Sequence, residues 1–135
     1  MVEEALRSKL VAGGSASQAL VGSRVYPLVL PDGQALPAVV YQRVTSNRLA
    51  SHTSIVGRGL VDATVQFSCI GASYASARAV ATAVRQTLES LHETVSGVDV
   101  DAVHFGDEED GYSEPGDKAG ASFTVFLDAT VWYCE

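Results

Sequence analysis

The sequence is poor in features that mark whole classes of protein. It has only two cysteines among 135 residues, which is too few for a disulfide framework. No apolar run approaches the length of a membrane span. The first residues, Met1-Val2-Glu3-Glu4, have neither the basic nor the apolar region of a secretory signal. We therefore expect a protein that is made in a reducing cytosol and stays soluble there, away from membranes.

Basic residues are also scarce: nine Lys and Arg stand against sixteen Asp and Glu, giving a formal net charge of −7. A protein that grips nucleic acid along its phosphates needs the opposite balance, so nonspecific DNA binding by the monomer is disfavoured. An acidic surface would instead suit a protein past which DNA slides. The hydrophobic content of 47% and the chain length predict one globular domain spanning residues 1–135.

One stretch organises the rest of the chain. Residues 60–69 alternate apolar and polar side chains, which predicts a strand with one apolar face. Gly71 ends this alternation, and from Ser73 the apolar spacing is that of a helix. The predicted helix is long, Ser73–Leu91, and its apolar stripe consists of Tyr74, Ala77, Val80, Ala81, Val84, Leu88 and Leu91. Strand and helix should pack together, and a second helix is predicted at residues 2–11.

The remaining patterns predict further strands. Residues 25–28 are predicted as a short extended segment, because the residue before Pro27 is disfavoured in the α region. Ala38–Thr45 carries apolar residues on both faces, which is typical of an interior strand. The long predicted helix is expected to fray near His92–Val95. Two further strands are predicted after it, at residues 98–105 and Ala121–Tyr133. We therefore predict an α+β fold with a mixed, mainly antiparallel sheet of about four to five strands, with both helices packed on it.

Two long irregular segments are predicted as loops. Ser46–Arg58 is unusually long for a connection in a compact domain, and its charged residues, Arg48 and Arg58, are both basic. It is either a mobile hairpin tip or a contact loop, and in the second case Arg48, His52 and Arg58 are the candidate contacts. Residues 107–117 are acidic and rich in turn formers, which predicts a solvated loop.

Trp132 is the fourth candidate contact. It shares with Phe126 the less apolar face of the last predicted strand. Two aromatic residues on that face indicate that something covers it, either the amino-terminal helix or a partner subunit. The sequence leaves both possibilities open.

No pattern predicts catalysis, a metal or a cofactor. An EF-hand loop aligned with Gly111 at its sixth position would have Gly106, which has no ligand side chain, at its first position. A phosphate-binding loop aligned on the same region would have Asp117 where lysine is required. Neither motif is therefore present. His52, His92 and His104 lack partners at metal-ligand spacing. Cys69 is on the inward face of its strand, so it is not an activated nucleophile. We therefore expect a protein that is not an enzyme.

Four segments, in order and spacing, resemble the tail-completion or tail-terminator proteins of long-tailed bacteriophages and prophages. They are residues 1–10 with Leu20-Val21-Gly22-Ser23-Arg24-Val25-Tyr26-Pro27, then Leu36-Pro37-Ala38-Val39-Val40-Tyr41, then the strand and helix from Val65 to Leu88, and finally Asp128-Ala129-Thr130-Val131-Trp132-Tyr133. The resemblance covers nearly the whole chain, apart from the Ser46–Arg58 loop and residues 108–120.

The resemblance implies a structural subunit of the virion tail, assembled in the cytoplasm of a host bacterium. Such subunits form a ring, usually of six copies, that caps the tail tube, stops its polymerisation and offers a surface for head attachment. The implied partners are further copies of the chain, the major tail tube protein and a connector of the head neck, while DNA passes through without specific binding. Another head–tail connector or a tube subunit is the alternative, and a small metal-dependent enzyme is a more distant one.

Overall fold

The computed structural model describes residues 2–11, 20–22, 24–28, 37–48, 60–89, 93–95, 98–113 and 122–134. Within them lie two helices and six strands, in the order α1 (Val2–Leu10), β1 (Val25–Pro27), β2 (Ala38–Arg48), β3 (Leu60–Gly71), α2 (Tyr74–Leu88), β4 (Glu93–Val95), β5 (Val98–Ser113) and β6 (Ser122–Cys134). In this part of the chain, no helix is both long enough and apolar enough to cross a membrane.

The strands form one sheet in the order β1-β2-β3-β6-β5-β4. Only the β1–β2 pair is parallel, and every other neighbouring pair is antiparallel. The predicted α+β class and the mixed, mainly antiparallel sheet are thus confirmed. The sheet has six strands rather than four to five, because residues 93–95 pair with residues 98–100 as strand β4 instead of fraying from a helix.

The core lies between the helices and one face of the sheet. The alternating residues of β3, from Val61 to Cys69, are buried, and α2 lies against them and against β6. Helix α1 packs on α2, β2 and β4, and its Leu6 and Leu10 are fully buried. Burying a side chain of this size contributes about 1.5–3 kcal/mol, so this single face supplies most of the hydrophobic stabilisation.

Helix α2 begins where the local chemistry favours it. The hydroxyl oxygen of Ser73, in the N-cap position, accepts a hydrogen bond from the Ser76 backbone N–H at 3.2 Å. Gly71 lets the helix approach β3, since a Cβ there would lie 2.7 Å from the Ala77 backbone nitrogen. The helix is shorter than predicted, with 15 residues ending at Leu88, and Tyr74 lies 46% exposed beside the buried stripe.

Both predicted loops are partly strand. Residues 107–113, predicted as an acidic loop, extend β5, and residues 46–48 extend β2. The reason is that β3 and β6 are long and require partners of similar length: residues 108–113 pair with residues 122–127, and residues 46–48 pair with residues 61–63. The rest of each predicted loop lies outside the described residues.

Candidate functional site

The sheet has two faces of different character. Both helices pack on the face that carries Val65 and Ala129. The other face, called here the open face, has no helix over it among the described elements. Its central positions, half-buried for the most part, are Asp62, Thr64, Gln66, Ser68 and Ile70 on β3 and Thr124, Phe126, Asp128, Thr130 and Trp132 on β6. The α1 cover that Trp132 and Phe126 suggested is therefore wrong, because α1 lies on the opposite side.

A row of polar side chains crosses three strands of the open face. Gln42 Nε2 donates a hydrogen bond to Gln66 Oε1 at 3.4 Å, and Gln66 Nε2 donates one to Asp128 Oδ1 at 3.3 Å. In the adjacent row, Thr64 pairs in register with Thr130 of the next strand. Amides, hydroxyls and a carboxylate thus make the middle of this face polar, and no helix among the described elements packs on it.

The Asp, Glu, Lys and Arg residues at the described positions of the open face are all acidic. Asp62, Asp128 and Glu109 supply carboxylates: the first two alternate with core positions of their strands, and Glu109 is in the row of Phe126. Three arginine side chains are directed to the helix side: Arg78 and Arg85 bind Glu108 from α2, while Arg43 binds Glu3 of α1 at 3.2 Å. The described part of the open face therefore holds carboxylates without Lys or Arg.

The two aromatic residues of the open face are not equivalent. The Phe126 ring lies over Gly111 of β5, where an added Cβ would be 2.8 Å from Phe126 Cε2. Phe126 therefore packs on its own sheet. Trp132 is half-buried and pairs in register with Asp62 and Ala102. One oxygen of Asp62, Oδ1, is buried and has no hydrogen-bond partner in the described structure.

Both edges of the sheet are only partly paired. On β2, strand β1 covers residues 39–41, and the Leu28 N–H extends that cover by donating to the Tyr41 carbonyl at 2.9 Å. On β5, strand β4 covers residues 98–100. We call residues 42–48 the β2 edge segment and residues 101–113 the β5 edge segment. Neither has an outer partner strand within the described ranges.

The edge segments differ in charge. The β2 edge segment contains Arg43 and Arg48 and no acidic residue, whereas the β5 edge segment contains Asp101, Asp107, Glu108, Glu109 and Asp110 and neither Lys nor Arg. Each is also interrupted by a bulge, between Arg43 and Thr45 on β2 and between Phe105 and Glu108 on β5. Charged residues and bulges are the usual devices that prevent edge strands from pairing indiscriminately.

Helix α2 holds the acidic part of β5 in place. The Tyr74 hydroxyl donates to Asp110 Oδ2 at 2.9 Å, and Arg78 Nη1 lies 3.2 Å from Glu108 Oε1. Arg85 Nη1 is 3.9 Å from the other oxygen of Glu108. The hydrogen bond to Asp110 raises the pKa of Tyr74, because ionised tyrosine could not donate it. These contacts explain why so acidic a segment forms a regular strand.

A groove of about 420 Å³ opens beside the inner end of the β2 edge segment. It is lined by Glu3, Glu4, Pro27, Leu28, Tyr41, Gln42 and Arg43. Leu28 is 70% exposed there, with a φ of 65° that ends β1. Burial raises the pKa of Tyr41, with nearby Arg7 opposing the shift, so the phenol is no base at neutral pH. The groove lacks a nucleophile paired with a base.

The described residues form neither a catalytic site nor a metal site. Burial, helped by Glu108, raises the pKa of the Cys69 thiol to about 12, so it stays protonated and inert. No cluster of three or more His, Cys, Asp or Glu side chains in the described ranges has the arrangement of a metal site.

Of the four predicted contact residues, Arg48 and Trp132 lie within the described part of the chain. Arg48 is the last residue of β2 and pairs through its backbone with Val61, a core position, whereas Trp132 lies on the open face. His52 and Arg58 lie outside the described residues. The sequence pattern missed the edge segments, because Glu108 and Asp110 alternate without an apolar face. The long apolar alternation of β6 could have indicated these edge segments, because a strand of that length needs neighbouring strands of similar length.

The comparisons with known proteins bear on this arrangement. The family model described as "Tail completion protein gp17" matches residues 4–133. The chain belongs to this family. It is therefore a structural protein of the phage virion tail, and the resemblance drawn from the sequence is confirmed.

A solved structure agrees with the assignment at the level of fold. A chain of the structure titled "Virion of native gene transfer agent (GTA) particle" has a TM-score of 0.68 to this chain at 20% identity. The match covers 99% of this chain and 95% of that one, so the fold of this tail completion protein is shared over its full length. Among curated proteins, none matches the sequence.

Proposed function

We propose that this tail completion protein forms a ring at the head-proximal end of the tail tube, stops the polymerisation of the tube and provides the surface for head attachment. The observation that carries the proposal is the open face, which is polar and acidic and is free of Lys and Arg over its described positions. That surface suits the wall of a passage for DNA. The whole chain, residues 1–135, acts as one domain in this role.

Electrostatics explain why such a wall would let DNA pass. Each Lys or Arg that neutralises a phosphate releases counterions, and this term supplies most nonspecific affinity for DNA. Asp62, Asp128 and Glu109 repel phosphates instead, while the side-chain amides of Gln42 and Gln66 are uncharged. DNA would therefore be confined by the ring without being held, which is the requirement for ejection through it.

The position of the helices fits the same arrangement. Because α1 and α2 cover only one face, a ring whose open face points inward places both helices outside. The ends of the ring are then formed by the strand ends and their connections, which would meet the major tail tube protein on one side and the neck connector on the other. We also propose Arg48, His52, Arg58 and Trp132 as contacts with a neighbouring subunit or with the tube.

The experiment that tests the proposal is removal of the gene followed by electron microscopy of the resulting particles. Tubes of uncontrolled length that lack heads are expected, and purified protein added back should bind one tube end as a ring. Protein along the whole tube would identify a tube subunit, and protein bound only to tail-free heads would identify a connector. Either result would overturn the proposed role.

We also propose that the protein has no catalytic activity, in keeping with a family of structural proteins. The metal-dependent alternative would require convergent carboxylates or histidines in a cavity. Calorimetric titration with divalent cations tests it directly, and we expect no stoichiometric heat of binding.

A further inference from the structure

We propose that neighbouring copies in the ring join by pairing the β5 edge segment of one copy with the β2 edge segment of the next. This inference rests on the proposed ring and specifies its contact. Hydrogen bonds between the two backbones would continue the sheet from copy to copy. The occupant of each edge is thus a second copy of this chain.

Charge makes the two edges complementary to each other and not to themselves. Two β5 edge segments brought together would place five carboxylates of one copy against five of another, because residues 101–113 contain five acidic residues and no Lys or Arg. The β2 edge segment has two arginines and no acidic residue. A contact between unlike edges is head-to-tail, and head-to-tail contacts produce closed rings when the rotation closes. Like-charge repulsion correspondingly disfavours the competing two-fold dimer.

Strand direction favours the same contact. Strand β2 is antiparallel to β3, β3 to β6, and β6 to β5, so β2 and β5 of one copy run in opposite directions. Rotation about an axis parallel to the strands leaves these directions unchanged. The β5 strand of one copy therefore meets β2 of the next in the antiparallel orientation, which continues the dominant pairing of the sheet.

Beyond the short strands β1 and β4, suitable lengths of both edges have no outer partner among the described strands. The two short strands occupy opposite ends of the sheet: Val39, beside β1, is in the row of Cys69 and Val125, whereas Val100, beside β4, is in the row of Tyr133 and Val61. Each short strand therefore lies beyond the central rows. Residues 42–47 and 102–107 share those rows, and this stretch is where the two backbones can approach.

Val44 provides a contact that a monomer does not use. It is 52% exposed and is the extra residue of the β2 bulge, so it has no register partner on β3. An apolar side chain in this position is buried when a second strand lies alongside. On the opposing segment, His104 is exposed and lies in the row of Thr45, next to Val44.

The test uses charge variants at these two exposed positions, with the mass of the assembly measured by light scattering in the presence and absence of tail tubes. Within the paired stretch 102–107 the charged residue is Asp107. Val44→Asp adds a second carboxylate to this contact and is expected to weaken ring formation about tenfold or more, the effect of one repulsion of roughly 1.4 kcal/mol. Val44→Lys removes the same apolar side chain but adds a complementary charge, so it should assemble better than Val44→Asp.

His104→Lys is the matched change on the other strand, because it sets a cation against the arginines of the β2 edge segment, and it should also weaken the ring. Its control is Gln86→Lys, an equal change in net charge on the exposed face of α2. Circular dichroism establishes that each variant is folded. Equal assembly of Val44→Asp and Val44→Lys, with rings intact in both, would overturn the strand pairing and leave the ring itself standing. A wild-type protein that stays monomeric even with tubes would overturn the proposed function instead.

Discussion

Gln66 Nε2 donates a hydrogen bond to Asp128 Oδ1 across the two central strands, at 3.3 Å on the face that no described helix covers. Gln42 extends the interaction to a third strand. Exposed sheet faces commonly carry alternating polar residues, so polarity alone would not distinguish this surface. Its distinguishing feature is that Arg43, Arg78 and Arg85 are engaged on the helix side, so the described positions in the middle of the open face contain neither Lys nor Arg.

The first prediction concerns this absence of positive charge. Gln66→Lys would place an ammonium group on the open face, where it can neutralise a phosphate. We expect the assembled variant to bind DNA measurably, with an affinity that falls as salt rises, whereas wild-type assemblies should not. Fluorescence anisotropy with a short labelled duplex provides the measurement. Gln86→Lys, on the exposed face of α2, is the control for net charge, and equal DNA binding by both variants would count against an inward-facing open face.

The second prediction compares two glycines. Gly71→Ala would set a Cβ 2.7 Å from the Ala77 backbone nitrogen and 3.0 Å from Ser76 Cβ, so α2 must shift away from β3. Overpacking of this kind costs about 1–3 kcal/mol. Gly106→Ala meets no atom within 4 Å and should change stability by about 0.5 kcal/mol or less. Urea unfolding of both variants distinguishes them, and similar midpoints would show that the close approach of helix and strand is unimportant.

The third prediction concerns alkaline pH. The pKa of the Cys69 thiol is raised from 9.0 to about 12 by burial, so the unfolded chain loses this proton at a lower pH than the folded one. The contribution is fully present below about pH 9, and stability should fall by about 1.4 kcal/mol per unit as pH rises from 9 toward 12.

Cys69→Ala lacks that ionisation and serves as the control. The difference in unfolding free energy between wild type and variant should shrink steadily as the solution is made more alkaline between pH 9 and 11. A constant difference over that range would contradict the burial of the thiol.

The fourth prediction compares a core residue with a surface ion pair. Phe67 is 1% exposed at the centre of β3, so Phe67→Ala should cost about 3–5 kcal/mol. Arg78 contacts Glu108 at 3.2 Å and lies 6.0 Å from the Tyr74 ring centroid, but it is exposed. Arg78→Ala should therefore cost about 1 kcal/mol or less. Chemical denaturation at low and high salt tests both values, because the cost of Arg78→Ala should depend on ionic strength and that of Phe67→Ala should not.

The parts of the fold that were predictable are those in which one face is buried throughout. The unit from Leu60 to Leu88 follows from its two periodicities, and the last strand follows from its long alternation. Residues 107–113 were assigned to a loop because their regularity comes from distant partners: Glu108 meets two arginines of α2, and Asp110 meets Tyr74. No local pattern encodes such contacts.

The candidate site was predictable to a smaller extent. Phe126 and Trp132 indicated a face that needs explanation, and the structure places both on the open face. Whether α1 covers that face depends on the path of α1, which the local sequence does not specify. The edge segments depend on strand order, and strand order follows from pairings between residues as far apart as β3 and β6. The family resemblance, by contrast, relied on the spacing of several short segments and was confirmed.

The two bulges interrupt the outer long strands at the same level. Arg43 on β2 and Phe105 on β5 each border a bulge, and they belong to one row through Val65 and Ala129. A bulge bends its strand and increases its twist, so the two outer long strands bend at the same level of the sheet. The curvature that the proposed ring would need is thereby present in the single subunit, before copies meet. Deleting Val44 would straighten one flank alone, and the two rims would no longer run side by side.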